Sequence, residues 1–211
     1  MLTIYYCDAP NFEGYFEKGL SFLPRERQEK AERFLRTEDR VLSVLTGLML
    51  QKVLGYSETK PLRFFEHGKP YMDNAPCFSI SHSGDLAVLA VSEYPIGVDV
   101  QKAVPFSKNL LRRSFTEEEQ NYIGEDPVRF LRLWTRKEAA IKLTGDGLSV
   151  PLQSFSVFPE GKKVTVSGKE FFIQTEEWEK AVFSVTSLQK GEPITIREFY
   201  PEDFFDKGED P

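Results

Sequence analysis

The chain has few of the side chains that build disulfides and soft-metal sites. Among 211 residues there are two cysteines, two histidines and no Cys-x-x-Cys pair. Cys7 and Cys77 are far apart in sequence, so we expect both to be reduced, small residues of the core. A zinc site built from this supply together with His67 and His82 is disfavoured.

Other absences narrow the function further. The only tight glycine pair, Gly145-Asp146-Gly147, lacks the following Lys-Ser/Thr and the strand-then-helix setting of a phosphate loop. The first residues lack the basic and apolar regions of a signal peptide, and no apolar run approaches membrane-spanning length. The net charge is −6, which disfavours a nucleic-acid groove. We therefore expect a cytoplasmic protein with neither nucleic acid nor membrane as partner.

The patterns that are present predict an α+β protein. Hydrophobic content of 40% and 18 phenylalanines support a packed core in one large or two small domains. The predicted order is helices 25–36 and 37–54; strands 62–65, 77–81, 86–91 and 96–100; helices 107–113, 116–123 and 127–143; and strands 154–158, 163–166, 171–175, 182–186 and 194–199. Because helices precede strands twice, the pattern indicates two similar lobes.

Two segments carry the chemistry. Residues 134–142 read Trp-Thr-Arg-Lys-Glu-Ala-Ala-Ile-Lys, and helical spacing puts Trp134, Glu138 and Lys142 on one face. Upstream, period-two alternation in a strand points Asp99 and Gln101 the same way. Together they indicate a metal and phosphate site. Taken alone, Glu138 and Lys142 form an ordinary surface salt bridge, Gln101 is an ordinary strand end, and Trp134 is a core residue in either case.

The order of these segments is specific. With Gly68-Lys69-Pro70 and Ile80-Ser81-His82-Ser83 before them, they resemble the 4'-phosphopantetheinyl transferases of the Sfp type, over roughly residues 25–158. The resemblance implies two similar lobes related by pseudo-twofold symmetry, each with helices packed on a small antiparallel sheet, and an active site in the cleft between them. The corresponding division is an N-terminal lobe at 1–101 and a C-terminal lobe at 102–200. Residues 201–211 are acidic and contain Gly and Pro, which predicts a mobile tail.

The resemblance also implies the reaction: magnesium-dependent transfer of 4'-phosphopantetheine from coenzyme A to a serine of an apo acyl or peptidyl carrier protein, releasing adenosine 3',5'-bisphosphate. Asp99 and Glu138 match the family's metal positions. Gln101 stands where the family has an acid, so either its amide oxygen is a weaker ligand or a water replaces it. Because two lobes of one chain can form the cleft without a second copy, we expect a monomer.

The catalytic roles follow from the same resemblance. It implies that Glu138 helps to deprotonate the carrier serine, although a bound cation lowers the pKa of a carboxylate, and a metal-bound water is the alternative base. Lys142 is expected to stabilise the leaving group.

Five residues are expected to bind coenzyme A. The resemblance implies that Lys69, Ser81 and His82 contact its phosphates and that Arg27 and Lys30 contact the 3'-phosphate. The serine–histidine neighbours do not predict a hydrolase, because adjacent residues of a strand face opposite ways and no Gly-x-Ser-x-Gly segment exists.

Several alternatives stay open at this point. Glu119 aligns with a further family acid, but three glutamates at a helix start are equally explained by the helix dipole. An acidic carrier protein is expected to dock on a basic patch of Lys108, Arg112 and Arg113. Other acceptors would make the protein a coenzyme A pyrophosphate hydrolase or another phosphotransferase, and Gln101 is the one feature that favours a non-catalytic coenzyme A-binding protein.

Overall fold

A computed structural model describes residues 1–103, 106–178 and 181–205. The helices are α1 (Phe16–Phe22), α2 (Arg25–Glu32), α3 (Thr37–Leu54), α4 (Lys108–Ser114), α5 (Glu117–Ile123) and α6 (Pro127–Thr144). The strands are β1 (Leu2–Asp8), β2 (Arg63–Phe64), β3 (Pro70–Tyr71), β4 (Cys77–Ser83), β5 (Leu86–Ser92), β6 (Val98–Lys102), β7 (Val164–Val166), β8 (Lys169–Trp178), β9 (Ala181–Ser187) and β10 (Ile194–Glu198). Within these ranges, no helix has the length and apolar character needed to cross a bilayer.

The fold is mixed α+β, as the sequence predicts, with two four-stranded sheets in the orders β10-β1-β5-β4 and β6-β9-β8-β7. Strand membership crosses the expected division at residue 101. β6 hydrogen-bonds to β9 in the second sheet, whereas the late strand β10 pairs with β1 in the first. The β1–β10 pairing is parallel, so the prediction of purely antiparallel sheets is wrong for the first sheet.

Apolar faces arrange the molecule in layers. Side chains of α3 pack on one face of the first sheet, around Leu45, Met49 and Leu89. The opposite face of that sheet meets the second sheet around Ile4, Val88 and Phe183. The outer face of the second sheet is covered by α6. Strand alternation explains this order, because successive residues of β5 and β9 point to opposite layers.

Serine hydroxyls join the edges of the two sheets. The β4 edge does not pair with β6 through backbone atoms; instead, three serines of β4 accept hydrogen bonds from backbone N–H groups of β6. The pairs are Ser79 with Val98, Ser81 with Val100 and Ser83 with Lys102, at 3.1, 3.3 and 3.0 Å. Each hydroxyl oxygen satisfies a backbone donor that would otherwise lack a partner. The two sheets are thereby held in one register.

Helix α6 lies very close to the start of β6. Asp126 caps the helix by accepting from the backbone of Val128, and Gly145, at φ +80°, ends it. A Cβ built on Gly97 would lie 2.0 Å from the carbonyl oxygen of Ala139, so only glycine allows this approach. The close contact brings β6 beside the helix that carries Glu138.

A buried ion pair fixes the other side of α6. Lys137 Nζ lies 2.8 Å from Glu119 Oε2, and both side chains are fully buried. Glu119 also accepts from the backbone nitrogens of Thr116 and Val157. Lys137 donates in addition to carbonyls of the segment before β7, among them that of Leu152. Glu119 therefore closes a capping box on α5 and anchors α6, so of the two explanations left open for it the structural one is favoured.

Some local expectations differ from the structure. The segment 154–158 is not a strand, because its backbone groups bind Glu119, Arg136 and Lys137 instead of a neighbouring strand. Of the two cysteines only Cys7 is buried; Cys77 is exposed at the start of β4, so its assignment to the core is wrong.

The expected mobile tail begins in a packed segment. Pro201–Asp203 forms a 3₁₀ turn. Phe205 packs against the start of α1, where its ring stacks on that of Tyr15, and it is only 5% exposed. The structure thus differs from the expectation for 201–205. The rest of the predicted tail, 206–211, lies outside the described residues.

The buried ion pair leads to a stability prediction. We expect Glu119→Gln and Lys137→Met each to lower the free energy of unfolding by about 3–5 kcal/mol, because each leaves one buried charge without its partner. The double variant should lose less than the sum. Urea denaturation followed by circular dichroism measures this, with Lys163→Ala at the exposed Lys163–Glu170 pair as the control, expected to cost about 1 kcal/mol or less. A loss below about 1 kcal/mol for Glu119→Gln would contradict the anchoring role.

Candidate active site

Asp99 is the centre of the site. It is the second residue of β6 and is 5% exposed. Its Oδ1 accepts from Ser81 Oγ and from Lys142 Nζ, both at 2.7 Å. Its Oδ2 is buried and has no hydrogen-bond partner among the described residues. A buried carboxylate oxygen left open is costly in free energy unless a cation or another donor binds it.

Ser81 lies at the meeting point of three elements. Its hydroxyl donates to Asp99 Oδ1 and accepts from the Val100 backbone nitrogen and from Lys142 Nζ, the last at 2.9 Å. The alternation Ser79-Ile80-Ser81-His82-Ser83 is the sequence signal for this arrangement, because it places three hydroxyls on one side of β4. The role of the serines in joining β4 to β6 was not predicted from the sequence.

Lys142 reaches this cluster from α6. Its ammonium group makes an ion pair with Asp99 at 2.7 Å, and its side chain keeps 29% of its exposure. Lys142 therefore does not form a simple surface salt bridge with Glu138, since its ion-pair partner is Asp99 of β6. The contact links the helix of the second sheet to both β4 and β6.

Glu138 lies one helical turn before Lys142 and is half-buried. Burial raises its pKa above the ordinary value, the negative charge of Asp99 raises it further, and Lys142 opposes the shift. Two neighbouring carboxylates in a partly buried place provide the oxygen-rich, negative environment that hard divalent cations prefer. Asp99 and Glu138 thus fit the predicted magnesium site by donor type and charge.

A cation held by Asp99 and Glu138 would occupy an open rather than a closed site. Within the described ranges no group of three His, Cys, Asp or Glu is arranged to hold a metal. Magnesium retains waters and takes phosphate oxygens, so two protein carboxylates suffice. Gln101, half-buried on β6, lines a groove of about 1090 Å³ whose wall includes His82.

Lys69 lies in the loop before β3. Its Nζ donates to the carbonyls of Ile96, at 2.9 Å, and Leu143, at 3.2 Å. Burial, and the nearby charge of Lys169, lower its pKa to about 8. Its side chain lines a cavity of about 290 Å³ together with those of Glu138 and Lys142. The structure thus brings Lys69 beside Glu138 and Lys142, although its ammonium group is already bonded to backbone oxygens.

The other predicted anion-binding residues meet in a neighbouring cavity of about 250 Å³. Arg27, Lys30 and His82 line it. Arg27 is 5% exposed, and its guanidinium donates twice to the carbonyl of Ser43, at 3.1 and 2.8 Å. Burial and then Arg27 lower the pKa of Lys30, and partial burial and then Lys142 lower that of His82. Arg27 and Lys30, two cations held close together in this way, favour a bound anion.

The residues of the helix motif divide between two sides. Trp134 packs against the core rings Phe115 and Phe130, as predicted. Arg136 and Lys137 are fully buried and bind backbone oxygens of neighbouring segments. Their contribution was missed, because a charged pair on a helix usually indicates solvent exposure. Outside this site, Lys108, Arg112 and Arg113 are exposed on α4, where a docking patch was expected.

Comparisons with known proteins identify the family. A family model described as the 4'-phosphopantetheinyl transferase superfamily matches residues 95–196. The chain is 35% identical over 164 residues to the 4'-phosphopantetheinyl transferase Sfp of Bacillus subtilis strain 168, covering 72% of this chain and 73% of that protein. It is 35% identical over 189 residues to the 4'-phosphopantetheinyl transferase ffp of Bacillus subtilis, covering 82% and 84%.

A more distant relative is the L-aminoadipate-semialdehyde dehydrogenase-phosphopantetheinyl transferase of Xenopus laevis, 32% identical over 182 residues, with 72% of this chain and 60% of that protein covered. The match to the two Bacillus proteins extends over more than two thirds of each chain. Similarity of that level and extent shows that this protein belongs to the 4'-phosphopantetheinyl transferase superfamily.

Proposed function

We propose that this protein transfers 4'-phosphopantetheine from coenzyme A to a serine of an apo acyl or peptidyl carrier protein and releases adenosine 3',5'-bisphosphate. The observation that carries the proposal is the buried, unpartnered Oδ2 of Asp99, which lies in the environment that also raises the pKa of Glu138. The cavity that Glu138 lines shares Gly68, Pro70 and Ile80 with the cavity that Arg27 and Lys30 line, so a cation held there would be near bound phosphates. Membership of the superfamily supports the same reaction.

The lobe arrangement belongs to this proposal. Residues 1–101 and 102–200 would form two similar lobes related by a pseudo-twofold axis, with the active site in the cleft between them. Contacts of Lys142 with Ser81 and Asp99 support it, since they join the two parts of the chain at the site. The exchange of β6 and β10 between the sheets means that neither lobe's sheet is built from one continuous segment.

Coenzyme A binding is assigned to the basic residues around the two cavities. Arg27 and Lys30 bind the 3'-phosphate, and Lys69 and His82 bind the diphosphate. Ser81 lies on β4 between Ile80 and His82, which line these cavities. The burial of Arg27 and the partial burial of Lys69 strengthen their attraction to phosphate, because water screens it less there. Lys142 stabilises the charge that develops on the leaving phosphate.

Asp99 and Glu138 would hold the magnesium ion, with Gln101 or a water completing its shell. The ion supplies charge neutralisation for the diphosphate. In the transfer, the serine oxygen forms a bond to the β-phosphorus and the phosphoanhydride bond breaks. The hydroxyl proton passes to the Glu138 carboxylate, the group that the family resemblance implies as the base.

The partner is an acidic carrier protein. Lys108, Arg112 and Arg113, exposed on α4, offer the complementary charge, and the partly exposed Leu110 adds an apolar contact. A monomeric state, a cytoplasmic location and a lack of nucleic-acid or membrane partners complete the proposal. The free Cys7 and Cys77 support a reducing compartment.

The direct test is intact-mass spectrometry of several apo carrier proteins after incubation with the protein, coenzyme A and Mg²⁺. We expect a mass gain equal to phosphopantetheine, lost with EDTA. Loss of an outer-shell metal partner lowers activity by up to about 100-fold, and loss of a direct ligand should cost more. Asp99→Ala should therefore lower the rate more than about 100-fold, with an unchanged circular dichroism spectrum. Retained transfer by Asp99→Ala at saturating Mg²⁺ would refute the site. Free phosphopantetheine with unmodified carrier would instead identify a coenzyme A hydrolase.

Gln101 allows a second test of the cation site. Gln101→Glu adds a negative oxygen on the Asp99 side of β6, so the Mg²⁺ concentration for half-maximal transfer should fall on the order of tenfold. Gln101→Ala decides between the two possible ligands: a rise in that concentration assigns the amide oxygen, and no change assigns a water. A higher Mg²⁺ requirement in Gln101→Glu would contradict the placement of Gln101 at the ion.

The pKa of Lys69 gives a pH-dependent test of its phosphate contact. Since that pKa is about 8 in the free protein, much of Lys69 is neutral near pH 9. Phosphate oxygens favour the ammonium form and raise the pKa, so coenzyme A binding should take up protons between about pH 8 and the ordinary lysine value of about 10.4. Calorimetry in two buffers of different ionisation enthalpy measures the uptake. Lys69→Met should reduce it, with the remaining uptake attributable to Lys30, whose pKa is also lowered, and equal uptake in both proteins would rule out the contact.

A further inference from the structure

The Ser81 hydroxyl has no hydrogen-bonding capacity left. A serine hydroxyl offers one donor and two acceptor lone pairs. In this protein the donor goes to Asp99 Oδ1 at 2.7 Å, and the lone pairs receive the Val100 nitrogen at 3.3 Å and Lys142 Nζ at 2.9 Å. Ser81 is also 5% exposed. A phosphate oxygen needs a donor, so binding one directly would require Ser81 to release Asp99.

The neighbouring serines show what is particular to Ser81. Ser79 and Ser83 make the same type of contact to the β6 backbone, at 3.1 and 3.0 Å. Only the middle serine of the three also donates to an Asp99 oxygen and accepts from Lys142. Joining the sheets therefore does not account for the additional contacts of Ser81.

These contacts determine which carboxylate oxygen of Asp99 is open. Oδ1 accepts two hydrogen bonds, from Ser81 and Lys142, which fill its lone pairs. Rotation of the carboxylate would break both bonds, so Oδ2 remains the oxygen without a protein partner. The same serine holds the Lys142 ammonium beside Oδ1.

We propose that Ser81 is a positioning residue, which orients Asp99 and Lys142 so that Asp99 Oδ2 faces the cation, and that it does not bind coenzyme A itself. The inference rests on the proposed function for the identity of the cation and the substrate. It replaces the phosphate contact that the family resemblance implies for Ser81. Outer-shell groups of this kind usually change metal affinity 10–100-fold when they are removed.

The test separates metal binding from coenzyme A binding. Mn²⁺ affinity of the full chain with saturating coenzyme A is measured by electron paramagnetic resonance of free Mn²⁺, and coenzyme A affinity is measured calorimetrically in EDTA. The variants are Ser81→Ala, Ser81→Thr, which keeps the hydroxyl, and Ser79→Ala, which removes the same type of backbone contact without touching Asp99. Ser81→Cys, close in size and a weak donor, replaces Ser81→Ala if that variant does not fold.

We expect Ser81→Ala to weaken Mn²⁺ binding about 10–100-fold while coenzyme A affinity in EDTA stays within about twofold. Ser81→Thr should recover most of the Mn²⁺ affinity, and Ser79→Ala should keep both affinities. Equal Mn²⁺ affinity in Ser81→Ala and Ser79→Ala would overturn the proposal, as would a loss of coenzyme A affinity in EDTA of about tenfold or more, which would indicate a direct phosphate contact. An absence of Mn²⁺ binding by the unmodified protein would also overturn it.

The transferase proposal fails on a different result. If the unmodified protein modifies no carrier protein while Ser81→Ala still loses Mn²⁺ affinity and Ser79→Ala does not, the positioning role stands and the assigned reaction is wrong.

Discussion

The hydrogen-bonded contact of Ser81, Asp99 and Lys142 is the interaction on which the candidate site depends. Each residue comes from a different element, β4, β6 and α6, so the contact exists only when both sheets and the helix are in register. It places the buried Asp99 carboxylate beside the Lys142 ammonium group and leaves Asp99 Oδ2 without a protein partner among the described residues. The site and the junction of the sheets are therefore the same structure, and a change that separates β4 from β6 would also disturb the site.

Helix α6 links this junction to the rest of the chain. One side carries Glu138 and Lys142 toward the site, and the other buries Arg136 and Lys137 against loop carbonyls and Glu119. Buried charges are costly unless they are paired and hydrogen-bonded, which these largely are. Such contacts are directional, so they hold the rotation and axial position of the helix more narrowly than apolar packing alone. A fixed α6 in turn fixes the distance between its carboxylate and Asp99.

Much of the local structure is predictable from the sequence. The helix α6, the strand β6 and the shared face of Asp99 and Gln101 follow from 3.6- and 2-residue periodicity, and Gly145 marks the helix end. The strand predicted at 154–158 is wrong, because buried side chains of α5 and α6 take its hydrogen bonds. The strand β1 was not predicted, and its parallel partner β10 comes from the other end of the chain. Pairings of that separation leave no local pattern.

The sequence by itself determined the residue types of the site, their order and the family. An ordered set of short motifs can be recognised along the chain without knowledge of the fold. Only the tertiary structure decided that Lys142 makes its ion pair with Asp99 and not with Glu138, and that Glu119 is buried against α6. It also decided that the Ser81 hydroxyl uses all of its hydrogen-bonding capacity within the protein. Periodicity specifies the face on which a side chain lies, whereas its partner depends on which elements approach that face. Here the approach is set by packing: the missing side chain of Gly97 and the three serines of β4 bring β6, α6 and β4 close enough for those contacts.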